Sequence, residues 1–297
     1  MPCHRYDIIA VDLDGTLIDH NGLIHADNLA AIRRARQAGI MVTICTGRAL
    51  VETREVVARI EQTDPVIVAG GAMVAEPQSG RTLERFTMPL ELVRRVADHL
   101  HEQEHPVLLL KDPHAAGFDY LAVTPWGPDA IDPASKWWFK KMGVNVRYTD
   151  ALEHDEHPEH TVRVGAYAAN TPITELADDL RIRFGGEVML QHFNGVLLPT
   201  DRRDDGIESV HIVEMFNPLA DKWQALERLA RRLGIPPERT AAIGDQTNDL
   251  SMITHAGLGV AMGNAHASVA KAADRQTLAC DQGGVAHALN QILAGEW

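Results

Sequence analysis

Acidic side chains follow two buried, strand-like segments of the chain, and their spacing points to metal chemistry. Residues 6–11 (YDIIAV) predict a short buried strand, and Asp12 and Asp14 follow it directly. Carboxylates at positions i and i+2 of an extended chain project to the same side, and Gly15 then lets the chain turn sharply. Taken alone, a D-x-D pair is common by chance and is more often a strand followed by a polar turn.

A second acidic group, GDQTND at residues 244–249, follows another apolar segment at 240–243. In a parallel α/β sheet, ligands bind beyond the carboxyl ends of the strands. If these two strands are neighbours, four carboxylates come close together: Asp12, Asp14, Asp245 and Asp249. They cannot all stay ionised without a cation. Mg²⁺ suits hard oxygen ligands and a phosphate-bearing substrate, whereas Ca²⁺ is disfavoured because no EF-hand-like loop is present.

Two further features could hold phosphate. Thr46, Gly47 and Arg48 follow an apolar strand at 40–45 and open a helix, so that the Thr46 hydroxyl and nearby backbone N–H groups could bind phosphate oxygens. Lys222 lies in the first turn of a helix, where its charge opposes the helix dipole. A phosphate or carboxylate partner would explain that position. Singly, each feature is equally well explained as a common turn or a solvated lysine.

Composition narrows the class of protein. The chain has 297 residues, is 45% hydrophobic and 23% charged, and so predicts one large or two ordinary globular domains. Its 28 Lys+Arg against 41 Asp+Glu give a net charge of −13, which disfavours a general nucleic-acid binder. No apolar run reaches the ~18 residues that a membrane helix needs, and no signal peptide is recognisable. With three widely separated cysteines, these features predict a cytoplasmic protein.

The outer parts of the chain alternate strands and helices, which predicts a parallel sheet with helices on its faces. The middle is less regular, with strand candidates at 107–110, 120–123, 144–148, 161–168, 187–190 and 209–214, helix candidates at 134–142 and 172–184, and a turn at 201–206. We expect an α/β fold in which a Rossmann-like parallel-sheet core carries an inserted α+β cap domain. The expected bounds are 1–84 and 215–297 for the core, and 85–214 for the cap.

The order of these motifs resembles the haloacid dehalogenase superfamily of phosphatases. Asp12–Thr16, Thr46, Lys222 and Gly244–Asp249 are similar to its four motifs in sequence order. The tail at 256–265 (AGLGVAMGNA) resembles the Cof-like branch, which carries a large α/β cap between the second and third motifs. The resemblance implies a Mg²⁺-dependent phosphatase that hydrolyses small phosphorylated metabolites, sugar phosphates foremost, through an aspartyl-phosphate intermediate. The cap would then be a substrate lid.

The resemblance also implies a role for each matching residue in catalysis. Asp12 would be the nucleophile, and Asp14 would protonate the leaving group and later activate water. Thr46 and Lys222 would hold the phosphoryl oxygens. Further phosphate or substrate contacts are assigned to Gly47, Arg48 and Asn248.

The implied metal site consists of Asp12, Asp14, Asp245 and Asp249. In this assignment Asp12, Asp245 and the backbone carbonyl of Asp14 bind Mg²⁺, while Asp249 supports the metal's waters or Lys222. The expected partner is a small phosphorylated metabolite, with no nucleic acid and no membrane, and the expected oligomeric state is a monomer or homodimer.

Two departures from the pattern bear on substrate preference. Relatives often have Asn-Gly after the third strand, where this chain has Gly70-Gly71. Their motif lysine is often followed by glycine, whereas Lys222 precedes Trp223. Neither departure removes a residue with an implied chemical role.

Three alternative functions remain. A phosphosugar mutase would return the phosphoryl group to substrate, and the motifs do not separate it from a hydrolase. A D-x-D glycosyltransferase would leave Thr46, Lys222 and the 244–249 motif unexplained. A non-enzymatic phosphometabolite-binding module would not need every implied catalytic residue, and none of them is missing here.

The middle segment holds two patterns with a structural and a functional interpretation. His154, His157 and His160 could ligate zinc, although Pro158 and acidic neighbours favour a solvated loop. Residues 136–141 (KWWFKK) could stack a base or sugar, although core or dimer packing of an amphipathic helix is the favoured interpretation.

Overall fold

A computed structural model describes residues 4–171, 173–195 and 209–297. The described chain divides into two compact units. Unit 1 comprises Met1–Arg48, Arg54–Ser79 and Asp221–Trp297, and unit 2 comprises Ala49–Thr53 and Gly80–Ala220. The sequence prediction placed the boundaries after residues 84 and 214 and did not assign residues 49–53 to the middle unit. The turn predicted at 201–206 lies outside the described residues.

Unit 1 is built on a five-stranded parallel sheet, as the sequence predicted. Its strands are β1 (Ile8–Val11), β2 (Met41–Ile44), β12 (Thr240–Gly244), β13 (Leu258–Ala261) and β14 (Arg275–Gln276), in the order β14-β13-β12-β1-β2. Strands β1 and β12 are neighbours, with Val11 opposite Ile243. Both strands are buried along their whole length, which is why they are apolar until the residues at their carboxyl ends.

Helices cover this sheet, and a short hairpin follows β2 in the same unit. The hairpin consists of β3 (Val66–Val68) and β4 (Met73–Ala75), which pair antiparallel. The helices of unit 1 are α1 (Ala26–Gln37), α2 (Arg54–Arg59), α7 (Lys222–Arg232), α8 (Leu250–His255), α9 (Ala267–Ala272) and α10 (Gly284–Leu293). In α7, the buried stripe includes Leu226, Leu229 and Ala230, and the preceding Asp221 side chain accepts hydrogen bonds from two backbone N–H groups.

Unit 2 is a mixed six-stranded sheet with its own apolar core. Its sheet strands are β6 (Val107–Lys111), β7 (Tyr120–Val123), β8 (Val146–Thr149), β9 (Thr161–Ala169), β10 (Met189–Gly195) and β11 (Val210–Phe216), in the order β10-β11-β9-β6-β7-β8. Strand β5 (Thr82–Arg85) and the helices α3 (Leu90–Glu102), α4 (Pro113–Ala116), α5 (Pro133–Met142) and α6 (Thr174–Phe184) complete the unit. Among the described residues, every helix of the chain is too short or too polar to cross a lipid bilayer.

The predicted α/β class with an inserted second unit is confirmed. The largest difference in an element concerns the strand predicted at 187–190, which is Met189–Gly195. Residues 191–194 (QHFN) are mostly polar and partly exposed, so hydrophobicity does not predict a strand there. The ladder with β11 continues through backbone hydrogen bonds, which do not depend on apolar side chains.

A buried polar network crosses the sheet of unit 2. Arg163 forms an ion pair with Glu214 at 3.0 Å and also donates to the Tyr120 hydroxyl. The Tyr167 hydroxyl donates to the same Glu214 carboxylate at 2.8 Å. Burial raises the pKa of Glu214, and the Arg163 charge opposes that shift. Removing one partner would therefore leave an uncompensated charge inside the unit.

We predict that Arg163→Met lowers the free energy of unfolding by about 3–5 kcal/mol, because Glu214 would remain buried without its cation. Urea unfolding followed by circular dichroism measures this loss. Arg147→Met is the matched control, since Arg147 pairs with Glu156 at the surface and should cost less than ~1 kcal/mol. Equal losses in the two variants would contradict the prediction, and Arg163→Met/Glu214→Leu should recover much of the stability.

Candidate active site

Three of the four predicted carboxylates meet at the carboxyl ends of β1 and β12. Ligand oxygens of Asp12, Asp245 and Asp249 all lie within 4.8 Å of one another, and all three side chains are buried. The parallel register that sets Val11 beside Ile243 brings the next residues, Asp12 and Gly244, to the same edge of the sheet. Adjacent strands thus create a cluster that neither motif forms alone.

Lys222 provides the positive charge of this cluster. Its Nζ donates to Asp12 Oδ1 at 2.6 Å and to Asp249 Oδ1, and its side chain is only 1% exposed. Burial alone would lower the pKa of Lys222, but the two carboxylates raise it above its ordinary value. This pairing explains why a lysine occupies the first turn of α7 despite the helix dipole.

Asp249 is engaged by the protein through both carboxylate oxygens. Oδ1 accepts from Lys222, while Oδ2 accepts from the backbone N–H groups of Asp245 and Gln246 at 2.9 and 3.0 Å. The Asp249 side chain therefore shapes the loop after β12 and holds the lysine in place. Of the two roles that the resemblance offered for Asp249, this geometry matches the support of Lys222.

Asp245 is positioned by two side chains and carries a strongly perturbed carboxyl group. Thr16 Oγ1 donates to its Oδ1 at 2.8 Å, and Gln246 Nε2 donates to its Oδ2 at 3.2 Å. Burial and, to a smaller extent, the Asp249 charge raise the pKa of Asp245 to about 6, although the hydrogen bond from Thr16 opposes the shift. Burial and the charge of Asp249 also raise the pKa of Asp12 well above its usual range. In both groups burial is the larger cause of the shift, and a neighbouring carboxylate adds to it.

Asp14 lies apart from the three-carboxylate cluster and is held by Arg48. Arg48 Nε donates to Asp14 Oδ2 at 2.8 Å, and a second guanidinium nitrogen donates to Oδ1 at 2.5 Å. The Asp14 side chain remains 44% exposed, so the fork of Arg48 fixes the direction of a carboxylate that solvent can reach. The sequence assigned Arg48 to phosphate or substrate, and this bond to Asp14 was not foreseen.

The remaining predicted phosphate-binding residues lie on two loops, Thr46 and Gly47 after β2 and Asn248 after β12. Thr46 is buried, its backbone N–H donates to Ile67 O at 2.9 Å, and its Oγ1 accepts from the Arg48 N–H at 3.2 Å. Asn248 Nδ2 lies 4.0 Å from the position that a Cβ on Gly47 would occupy. The buried Oδ1 of Asn248 has no hydrogen-bond partner within the described parts of the chain.

Two residues to which the resemblance gave no role, Asn264 and Gly15, also shape the site. Asn264 Nδ2 donates to Gly15 O at 2.8 Å, and Asn264 Oδ1 accepts from the Cys280 N–H at 2.8 Å, so this side chain ties the first motif to the tail. Its sequence signal was present in the tail motif at 256–265 but carried no role. Gly15 has a φ of +81°, and a Cβ there would lie 2.5 Å from Asp245 Oδ2.

Gly71 sets how closely the loop after β3 approaches α7. Its φ is +100°, and a Cβ would lie 2.4 Å from the Asp221 carbonyl and 2.8 Å from the Lys222 nitrogen. Only glycine allows this approach without displacing the start of the helix that carries Lys222. At Gly70-Gly71, where relatives often have Asn-Gly, only the first residue differs. Gly71, the glycine that the backbone requires, is retained.

Comparison with known proteins identifies the family. The family model of haloacid dehalogenase-like hydrolases matches residues 9–289. The chain belongs to this family. Like its Cof-like members, this haloacid dehalogenase-like hydrolase carries a large additional unit, and it is a phosphatase that acts on phosphoric monoesters.

Relatives of this hydrolase match it along nearly its whole length. Phosphatase YwpJ of Bacillus subtilis (strain 168) is 30% identical over 96% of this chain and 99% of the relative. The 5-amino-6-(5-phospho-D-ribitylamino)uracil phosphatase YwtE of the same organism is 30% identical over 97% of this chain and 99% of the relative. A solved haloacid dehalogenase-like hydrolase from Bacteroides thetaiotaomicron superposes with a TM-score of 0.75, at 25% identity over 97% and 99% of the two chains.

We predict that Gly71→Ala lowers kcat/KM for p-nitrophenyl phosphate on the order of 100-fold, because the new methyl group would displace Lys222 from Asp12. Gly80→Ala is the matched control, since Gly80 also has a positive φ (+72°) but a Cβ there meets nothing within 4 Å. It should lose about 1–2 kcal/mol of stability and keep its activity. Full activity of Gly71→Ala would refute the positioning role.

Proposed function

We propose that this hydrolase is a Mg²⁺-dependent phosphatase of small phosphorylated metabolites that transfers the phosphoryl group to Asp12 and then to water. The observation that carries the proposal is the position of Asp12. Its carboxylate accepts a hydrogen bond from the ammonium group of Lys222 and lies within 4.8 Å of the buried carboxylates of Asp245 and Asp249. A nucleophile in this place has a cation beside it for the phosphoryl oxygens and an acidic site for a metal.

The residues present fit Mg²⁺. The donors are carboxylate oxygens, which Mg²⁺ prefers, and burial has raised the pKa of both Asp12 and Asp245, as expected where a cation belongs. Asp12, Asp245 and the carbonyl of Asp14 would hold the ion. When bound, Mg²⁺ supplies charge neutralisation for the carboxylates and the phosphoryl group.

The reaction has two steps, and the protein's own residues act in both. In the first, an Asp12 oxygen forms a bond to phosphorus as the bond to the leaving oxygen breaks, and Asp14 gives that oxygen a proton. In the second, Asp14 takes a proton from water, water oxygen bonds to phosphorus, and the Asp12 carboxylate and inorganic phosphate are released. Lys222 and Thr46 hold the phosphoryl oxygens, and Arg48 keeps Asp14 in place.

Sugar phosphates and related phosphorylated polyols are the proposed substrates. One relative that matches along its whole length is named for a phosphoribityl substrate, and this supports an alcohol leaving group on a polyhydroxylated carbon chain. We also propose a cytoplasmic location, supported by the free, buried thiols of Cys45 and Cys280. The core and lid roles, and a monomeric or homodimeric state, remain predictions.

Chelation tests the metal. We predict that EDTA abolishes hydrolysis of p-nitrophenyl phosphate and that Mg²⁺ restores it. Without the metal ion, the carboxylates of Asp12, Asp245 and Asp249 repel one another and repel an incoming phosphate. Ca²⁺ should restore activity poorly, since its larger and looser coordination shell misplaces the phosphoryl group. Full turnover by metal-free protein would disprove the metal assignment.

Leaving-group dependence tests the role of Asp14. We predict that Asp14→Asn lowers kcat for a sugar phosphate by about 10²–10⁴-fold, because a sugar alkoxide needs a proton as it departs. Formation of phosphorylated Asp12 from p-nitrophenyl phosphate should be much less affected, since p-nitrophenolate leaves without one. Burst kinetics measures this first step.

Asp27→Asn is the control for this substitution, because Asp27 is a 77% exposed acid on α1 of the same unit. It should leave both substrates unaffected. If Asp14→Asn instead slows the first step equally for both leaving groups, Asp14 is not the proton donor.

A substrate panel distinguishes the hydrolase from the phosphosugar mutase. We predict that sugar and polyol phosphates are converted fastest among ~100 phosphometabolites. Each turnover should release inorganic phosphate without a bisphosphate activator. Isomerised sugar phosphate without release of phosphate would favour the mutase.

A further inference from the structure

The sequence segment between β8 and β9 concentrates metal-binding side chains in unit 2. Residues 150–160 (DALEHDEHPEH) contain five acidic residues and three histidines, with no lysine or arginine. Within this segment, one ligand atom each from His157, Glu159 and His160 lies within 4.8 Å of the other two. None of these residues belongs to the proposed phosphatase site in unit 1.

The local backbone explains why these side chains meet. Pro158–His160 form a single 3₁₀ turn, and the His160 N–H donates to His157 O at 3.1 Å. Residues i and i+3 of a 3₁₀ turn lie on the same side of it, and the two imidazole rings are indeed stacked, 6.0 Å apart and 19° from parallel. Glu159 folds back so that its Oε1 lies 3.2 Å from His160 Nε2.

The turn is anchored to the sheet rather than free in solvent. Lys111, which is fully buried on β6, forms an ion pair with Asp155 and donates to Thr161 Oγ1 at 2.7 Å and to His157 O at 3.2 Å. The second oxygen of Asp155 accepts from the His157 N–H at 3.0 Å. These bonds fix the backbone on both sides of the histidines, as a preorganised site requires.

The ring of His160 has one nitrogen that no described residue satisfies. The buried Nδ1 of His160 has no hydrogen-bond partner among the residues that the structure describes, and the His157 ring packs against Phe118 at 6.0 Å. Two imidazoles and one carboxylate form a donor set typical of Zn²⁺ sites that keep an open fourth position. In a tetrahedral Zn²⁺ site, neighbouring ligand atoms lie about 3.4 Å apart. The three candidate ligand atoms lie within 4.8 Å of one another, so rotation of the side chains on the fixed turn can bring them to that distance.

We propose that His157, Glu159 and His160 bind Zn²⁺ in unit 2, with water as the fourth ligand. The site is independent of the proposed phosphatase chemistry, because none of its three ligands belongs to the acidic cluster of unit 1. The sequence favoured a solvated loop for this segment. The buried Lys111–Asp155 pair beneath it changes that interpretation, because it holds the segment in a defined shape.

Zinc titration of chelator-treated, full-length protein tests the proposal, with isothermal calorimetry and the visible spectrum of the Co²⁺ form as readouts. We expect one equivalent of Zn²⁺ that survives Asp12→Asn, since that substitution removes a ligand of the other acidic cluster. His157→Gln and His160→Gln should each weaken this equivalent at least about tenfold. The Co²⁺ spectrum should show tetrahedral bands that both variants lose.

His154→Gln is the matched control, because His154 lies in the same segment but pairs with Asp150 at the surface. It should bind Zn²⁺ like the unaltered protein. Glu159→Gln, at an exposed position, should also weaken binding, and this substitution leaves both imidazole rings in place. Absence of an Asp12-independent equivalent, or equal affinity in His157→Gln, Glu159→Gln and His154→Gln, would overturn the proposal.

Discussion

The ion pair that Lys222 shares with Asp12 and Asp249 is the constraint on which the site of unit 1 depends. A buried lysine between two buried carboxylates is stable only if all three stay in place, because each would otherwise be an unpaired charge in the interior. The pair also joins three distant parts of the sequence: the ends of β1 and β12, and the start of α7. The proposed catalytic geometry and the local stability therefore rest on the same contacts.

Close backbone approaches make this ion pair possible. Gly71 lets the loop after β3 reach the carbonyl of Asp221, and Asp221 in turn caps α7, so the helix begins where Lys222 can reach Asp12. Gly15 similarly leaves room for the carboxylate of Asp245. These glycines act through the space that they leave and the positive φ that they accept.

Sequence patterns predicted the parts of the fold in which burial and periodicity coincide. The apolar segments before Asp12 and Asp245 gave the parallel strands, and the acids at their ends gave the cluster. Sequence patterns could not predict which partner a charged side chain takes, because the same sequence is compatible with several ion pairs. Arg48 pairs with Asp14 rather than standing ready for phosphate alone, and Lys111 is buried in unit 2 although lysine is usually exposed.

Chemical identification of the residue that accepts the phosphoryl group tests the role of Asp12 most directly. The protein is mixed with p-nitrophenyl phosphate and Mg²⁺, quenched within a single turnover and treated with borohydride, which reduces an aspartyl phosphate to homoserine. We predict homoserine at position 12 on peptide mass spectrometry. Homoserine at another position, or none while phosphate is released, would contradict the claim that Asp12 is the nucleophile.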